Sequence, residues 1–540
     1  MDGSRRSGTR GVVSGGHPVT VDAAIEVLRA GGNAYDAAVA AGFAAAVAEP
    51  CLSSLGGGGF LLAHTAAGEE VLFDFFVDTP GRGAPATAPV LTPITVRFKG
   101  TGQVFHVGHG SVAVPGALAG YLHVHRRLGR LELATVIAPA RRAAERGVVL
   151  GPAQAAVVRL LAPIFELTPE GRAAFVPGDR SFGDDDRYAN PHLAAFLAEV
   201  AEERIVGFGD RRLAPVIAAS QAAHGGLLTA EDLADYQVVE REPLTVEHGG
   251  ARLLTNPPPS FGGRLVTRAL TLLEHEGPAG PAGSGPRLVQ LAHALDVVAQ
   301  EHTGGPAMDA GAEPGDATEG IAPPPTSGGE ARTGHAGVAG VAGVALVPPR
   351  RPRSSRGTTH VSIADAEGNL ASMTTSNGSG SGVTLGSTGV FANNIMGEED
   401  LHPRGFHLAP PGVRVGSMMA PSVLLRPGAP PLALGSGGSE RIRSALTQVL
   451  AHLLDDGLSL ADTVGAPRIH WDGRTVQVEP GLAPEAVAAL AAARDINVWQ
   501  VTDLYFGGVN AVDAGGDRVG DHRRGGTTAT LDGPRLVDGG

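Results

Sequence analysis

The chain has 540 residues, 55 of them acidic against 42 basic, for a formal net charge of −13. That length exceeds what one hydrophobic core serves and predicts a multilayered α/β unit or more than one domain, while the acidic balance argues against a nucleic-acid binder, which neutralises phosphates with Lys and Arg. A single cysteine, Cys51, excludes an internal disulfide, and its apolar neighbours predict an inert core thiol.

The opening "MDGSRRSGTRGVVSGGHPVT" is charged but lacks the apolar stretch of a secretory signal. No apolar run reaches the roughly 18 residues that a membrane span needs. The expectation is a cytoplasmic protein without membrane contact. "HPVTVDAAIEVLRAGGNAYDAAVAAGFAAAVAEP" predicts two helices with small apolar faces, the first capped at Thr20 or Asp22 and stopped by Gly31 and Gly32, the second running from Asn33 to Pro50. A glycine run in "LSSLGGGGFLLAHT" precedes short strands in "EEVLFDFFVD" and a turn at "TPGRG"; "GSVAVPGALAGYLHVHRRLG" leads into a helical region from 117 to 235. "LLTNPPPSFGGRLVTRALTLLEHE" reads as strand, rigid Pro/Gly loop and helix. Residues 302–357 are rich in Gly, Ala and Pro and poor in large apolar side chains, the composition of a flexible linker.

Past that linker, "THVSIAD", "AEGN" and "LASMTTS" predict a hairpin with alternating inward residues. "PPLALGSGGSERIRSALTQVLAHLLDDG" predicts a strand, a glycine turn and an amphipathic helix with Ile442, Leu446, Leu450 and Leu453 on one face. Further strand signals close the chain, so this part reads as sheets covered by helices.

The hairpin begins abruptly at Thr358 and Thr359. A threonine hydroxyl is a weak nucleophile that its own α-amine can activate, provided the peptide bond before it is cut. A flexible segment just upstream makes such a cut sterically easy; the plain alternative is two β-formers opening a strand. Gly437 and Gly438, between strand and helix, can aim backbone N–H groups at a developing oxyanion or, alternatively, a phosphate. A nucleotide site would need the Walker lysine or a second glycine fingerprint with an acidic partner, and neither is present. His360, His402, His407, His470 and His522 show no metal-ligand spacing, and no GxSxG elbow occurs. Neither metal nor cofactor is expected.

Together "GGNAYDAAVAAGFAAAVAEP", "LGGGGFLL", "VAVPGALAGY", "NPPPSFGG", "TTHVSIADAEGN", "NNIM", "SMMAP", "GSGGS" and "APRIH" resemble, in number and order, the γ-glutamyltransferases, members of the N-terminal-nucleophile hydrolases. The resemblance implies a four-layer αββα sandwich and a proenzyme that cuts itself between Gly357 and Thr358 into a large subunit, 1–357, and a small one, 358–540. It implies Thr358 as nucleophile and, through its freed amine, base; Ser376 as the hydroxyl supporting it; and Gly437 and Gly438 as the oxyanion hole. An acyl group on Thr358 would then pass to water or an amine.

The departures from the family concern substrate. Phe76 stands where an arginine grips the substrate carboxylate, Met418 where a second serine follows Ser417, and Ile395 where a polar residue meets the α-amine; Glu398 keeps an acid. A family asparagine falls at Asn377 or Gly378. A phenyl ring cannot replace an arginine fork, so these changes predict another acyl donor, with Arg82, Arg441 or Arg443 as replacement cations. Two further readings follow: carbon–carbon hydrolysis beside a carbonyl, which the resemblance associates with alkylproline formation in actinobacterial pathways, and a non-catalytic homologue.

Overall fold

The computed structural model describes residues 11–85, 87–98, 101–304, 357–402, 404–533 and 536–537. Most of the predicted linker lies outside these residues. Its two described ends are ordered elements: 302–304 finish the helix Gly285–Gly304, and Gly357 opens a strand.

Two antiparallel sheets face each other. One has eight strands, with the hairpin Gly357–Ala364 and Leu370–Gly378 at its centre, between Val12–Gly15 on one side and Gly58–His64 on the other. The second has six strands, including Leu432–Gly437 flanked by Gly508–Asp513 and Ser422–Leu425. Both sheets mix strands from before and after residue 357, so the two halves of the chain interleave. Side chains stitch the sheets together: Ser372 donates to the Leu434 carbonyl at 2.9 Å, Ser362 to that of Asn510 at 3.1 Å, and Asn510 to that of His360 at 2.9 Å.

Every residue of the two strands of the central hairpin is buried, not the alternate ones expected from its pattern. The reason is its place: one face meets the second sheet and the other meets helices, so neither faces solvent. Asp365 holds the turn by accepting from the backbone N–H groups of Glu367 and Asn369.

Helices Pro18–Arg29, Ala34–Ala48, Ala117–Leu128 and Leu133–Arg146 contribute to the core against the eight-stranded sheet. The first starts earlier than predicted: His17 is its cap, accepting from the Val19 N–H at 3.1 Å, with Pro18 in the first turn. Thr20 serves elsewhere, donating to Glu49. Ala34–Ala48 is buried all round, and only small side chains permit that closeness. On the far side Gly262–Glu276 and Arg441–Leu454 cover the six-stranded sheet, and Gly285–Gly304 packs on Gly262–Glu276 and against the strand Ile469–Trp471. Arg441–Leu454 is buried from residue 441 to 453 rather than amphipathic toward water, because Ile442, Leu446 and Leu450 meet the sheet while Ala451 packs into a separate cluster with Ile469 and Val476. The layers form an αββα sandwich. Among the described residues no helix is long and apolar enough to cross a membrane.

Candidate active site

Thr358 and Ser376 are register partners on the two central strands, beside an irregularity between Gly357 and Thr358. The Thr358 hydroxyl donates to Ser376 Oγ across 3.4 Å, and Ser376 donates to the Gly357 carbonyl oxygen at 2.6 Å. The Gly378 N–H donates to Ser376 at 3.1 Å, which fixes the serine rotamer. Both hydroxyl residues are buried.

The strand Leu432–Gly437 brings the glycine pair to the same point. A side chain on Gly437 would run into the Thr358 carbonyl, and Gly438 has φ of 130°, a conformation that L side chains rarely adopt. Ser439, at φ 54°, continues the turn and hydrogen-bonds Asp400. The turn is thereby tied to the loop holding Ile395 and Glu398. Glu398 is buried, and a Cβ on Gly378 would come within 2.8 Å of its carboxylate.

Phe76, Ile395 and Met418 belong to one buried apolar cluster, with Phe60, Met396 and Met419. Phe76 stacks on Phe60 at 5.6 Å. Gly58 is the register partner of Ser376, and a Cβ there would lie 2.9 Å from Phe76 Cα; one glycine separates Phe76 from the threonine–serine pair. Ser417 shapes the neighbouring turn: its hydroxyl accepts from the Met419 N–H at 3.1 Å, its carbonyl from Phe261 and Gly262, each at 3.0 Å. The Asn377 side-chain oxygen is buried with no hydrogen-bond partner among the described residues.

Of the suggested replacement cations, Arg82 faces Asp232 at 4.0 Å and Asp235 at 3.8 Å. Arg441 lies over the Tyr505 ring at 5.0 Å, and Arg443 donates to the Trp471 carbonyl at 3.3 Å.

Sequence reasoning missed Arg524 and Glu49. Arg524 donates to the Thr358 carbonyl at 3.3 Å, and its guanidinium borders the spaces beside Gly437 and Gly438. Burial, then Arg441, lower its pKa to about 10, which leaves it charged at neutral pH. Glu49 accepts from Thr359 at 2.6 Å and Thr20 at 2.7 Å, and burial raises its pKa. It anchors the residue that follows Thr358. No local pattern marks either residue; only the fold brings them to the threonines. His360, by contrast, is structural: burial lowers its pKa to about 3, and its nitrogens meet the Thr374 and Ser362 hydroxyls, each at 2.8 Å. Cys51 is buried and its thiol pKa is raised by burial.

A family model described as gamma-glutamyltranspeptidase matches residues 20–299 and 338–531. The chain is 34% identical over 512 residues to the Acylase ACY 1 proenzyme of a Pseudomonas strain, covering 94% of this chain and 90% of that one. It is 28% identical over 504 residues to the glutathione hydrolase proenzyme of Escherichia coli, covering 89% and 85%. The crystal structure of cephalosporin acylase from Bacillus halodurans shares the fold, with a TM-score of 0.77 at 23% identity and coverage of 99% and 98%. With the family pattern running along nearly its whole length and an αββα sandwich beneath it, the chain belongs to the gamma-glutamyltranspeptidase family of enzymes.

Proposed function

We propose that this protein is a self-processing threonine hydrolase or acyltransferase whose acyl donor is not an ordinary γ-glutamyl compound. The observation that carries the reading is the contact of one hydroxyl, Ser376, with both the Thr358 hydroxyl and the Gly357 carbonyl. In self-processing, Thr358 Oγ attacks the Gly357 carbonyl carbon while Ser376 donates to the oxygen that gains charge. The carbon–nitrogen bond breaks, its nitrogen takes a proton and becomes the Thr358 amine, and Gly357 is left as an ester on Oγ. Water hydrolyses that ester, giving the chains 1–357 and 358–540. Relatives named as proenzymes support this step.

The freed amine then takes the proton from Oγ as Thr358 attacks a substrate carbonyl. Backbone N–H groups of Gly437 and Gly438 hold the oxyanion, and the acyl ester passes to water or an amine. The substrate reading rests on Phe76, Ile395 and Met418. Charged ends of a γ-glutamyl group placed against these side chains would be buried unpaired, and sites lacking such partners discriminate by orders of magnitude. Glu398 and Ser417 remain as polar contacts. The relatives named acylase and glutathione hydrolase support hydrolysis of an acyl bond. The same apolar cluster favours, as a second reading, carbon–carbon cleavage beside the carbonyl of an alkyl-bearing substrate. Intact mass decides the central claim: two fragments split between Gly357 and Thr358, and an acyl adduct on the smaller one during turnover. A fully active uncut chain overturns it.

A further inference from the structure

Gly357, whose carbonyl carbon becomes an ester in the proposed self-cleavage, forms one wall of a narrow slot of about 30 Å³, the room of a single water. Leu52, Val157, Leu160 and Leu504 make apolar walls, so a water there has few groups to bond. Ala153 and Gln154 line both this slot and a wider cleft of about 680 Å³. Pro152 and Ala153 of the cleft are exposed, which gives water a route in from the surface.

Polar side chains in the slot are those of Gln154, Ser379, Arg523 and Arg524. The two cations are engaged elsewhere: Arg523 donates to Glu479 at 2.7 Å, and Arg524 to the carbonyls of Leu504 and Thr358, each at 3.3 Å. Gln154 and Ser379 are different. They are 3% and 1% exposed, yet Gln154 Oε1 and Ser379 Oγ have no hydrogen-bond partner among the described residues. Such buried groups are rare and call for an explanation, and a water between the two satisfies both.

The fold fixes both groups. Gln154 lies in the first turn of the helix Gly151–Phe165, and Ser379 follows the strand that carries Ser376, its N–H donating to Asn394 Oδ1 at 2.7 Å. Gly357 is thus held through its carbonyl oxygen by Ser376 while it borders the slot.

We propose that the slot is the site of the water that hydrolyses the Gly357 ester, with Gln154 and Ser379 as its positioning residues. The proposal rests on Thr358 being the processing nucleophile. Gln154 Oε1 accepts one O–H of the water, and Ser379 Oγ bonds its other side. The water oxygen attacks the Gly357 carbonyl carbon and gives a proton to the Thr358 amine, set free in the preceding acyl shift. The bond from that carbon to Oγ then breaks, the amine passes the proton to Oγ, and Gly357 is left as a carboxylic acid that ionises at neutral pH.

The test follows splitting of the full-length chain, with and without hydroxylamine added to the folded protein at neutral pH. Hydroxylamine takes an ester directly, leaving a hydroxamate on Gly357, and spares peptide bonds. Gln154→Leu and Ser379→Ala should each split about tenfold more slowly than wild type, the effect of one lost hydrogen bond. Hydroxylamine should restore their splitting, with the hydroxamate read by intact mass, and Ser379→Thr, which keeps the hydroxyl, should split like wild type. Wild-type rates in either Gln154→Leu or Ser379→Ala overturn the site. So does a slow, folded variant that hydroxylamine does not hasten, because its block lies before the ester. Should circular dichroism show that Gln154→Leu has not folded, Ser379→Ala, which deletes one hydroxyl, decides alone. A wild-type chain that stays whole even with hydroxylamine overturns the processing reading itself, a result distinct from failure of the slot.

Discussion

The hydroxyls of Thr358 and Ser376 lie 3.4 Å apart on paired strands, and the serine reaches on, at 2.6 Å, to the carbonyl just before the threonine. The bond proposed to break is thus flanked by its attacking hydroxyl and by a donor for the oxygen that would become charged.

Ser376→Ala should slow conversion of the precursor about 100-fold, the usual effect of removing one oxyanion donor, while Ser376→Thr keeps the donor and processes. Thr358→Ala should stay a single chain of 54.7 kDa. A gel time course after expression checks all three. Normal processing of Ser376→Ala would remove the serine from this role.

Gly437→Ala forces a methyl group against the Thr358 carbonyl. The collision moves either the nucleophile or the proposed oxyanion donors, and turnover should fall roughly 100-fold. Circular dichroism and processing would show that the fold survives. Full turnover in a folded, processed variant would dissociate Gly437 from catalysis.

A γ-glutamyl anilide should be a poor substrate, with kcat/KM well below about 10⁴ M⁻¹s⁻¹, the low end for ordinary enzymes. The cause is the apolar trio Phe76, Ile395 and Met418, since each lost bond to a charged group costs about 1.5–3 kcal/mol. Steady-state kinetics decide it, and a value at or above that threshold would show that other groups receive the zwitterion.

His360 predicts an acid-sensitive fold. Its folded pKa of about 3 lies below the ordinary 6.5 because the ring is buried. Between those values the unfolded chain binds a proton that the native state refuses, so stability is lost as pH falls from 6.5 toward 3. The full slope is about 1.4 kcal/mol per pH unit. His360→Asn should have a lower Tm at neutral pH, through lost bonds to Thr374 and Ser362, yet a shallower decline in acid. Parallel Tm curves for the two proteins would contradict this origin.

Much of the candidate site was legible because its parts are local. A threonine pair after a low-complexity stretch, a glycine pair between strand and helix, and Phe76, Ile395 and Met418 in otherwise familiar motifs are all features of neighbouring residues. The structure departs from the pattern where burial or unusual capping intervenes. The helix at Pro18 began early because an imidazole capped it, outside the usual Ser, Thr, Asp and Asn set. The central hairpin lost its expected alternation because it lies between two layers.

By itself the sequence determined the layered α/β class, the absence of any disulfide within the chain, and which short segments are the candidates for chemistry, because residue type and spacing set backbone preference and reactivity over a few residues. Only the tertiary structure decided that Glu49 anchors Thr359, that Arg524 meets the Thr358 carbonyl, and that Phe76, Ile395 and Met418 share one cluster. These partners are separated by long stretches of chain. They meet because both sheets draw strands from either side of residue 357 and bury their faces together, and burial of that kind depends on the whole set of strand pairings rather than on any segment.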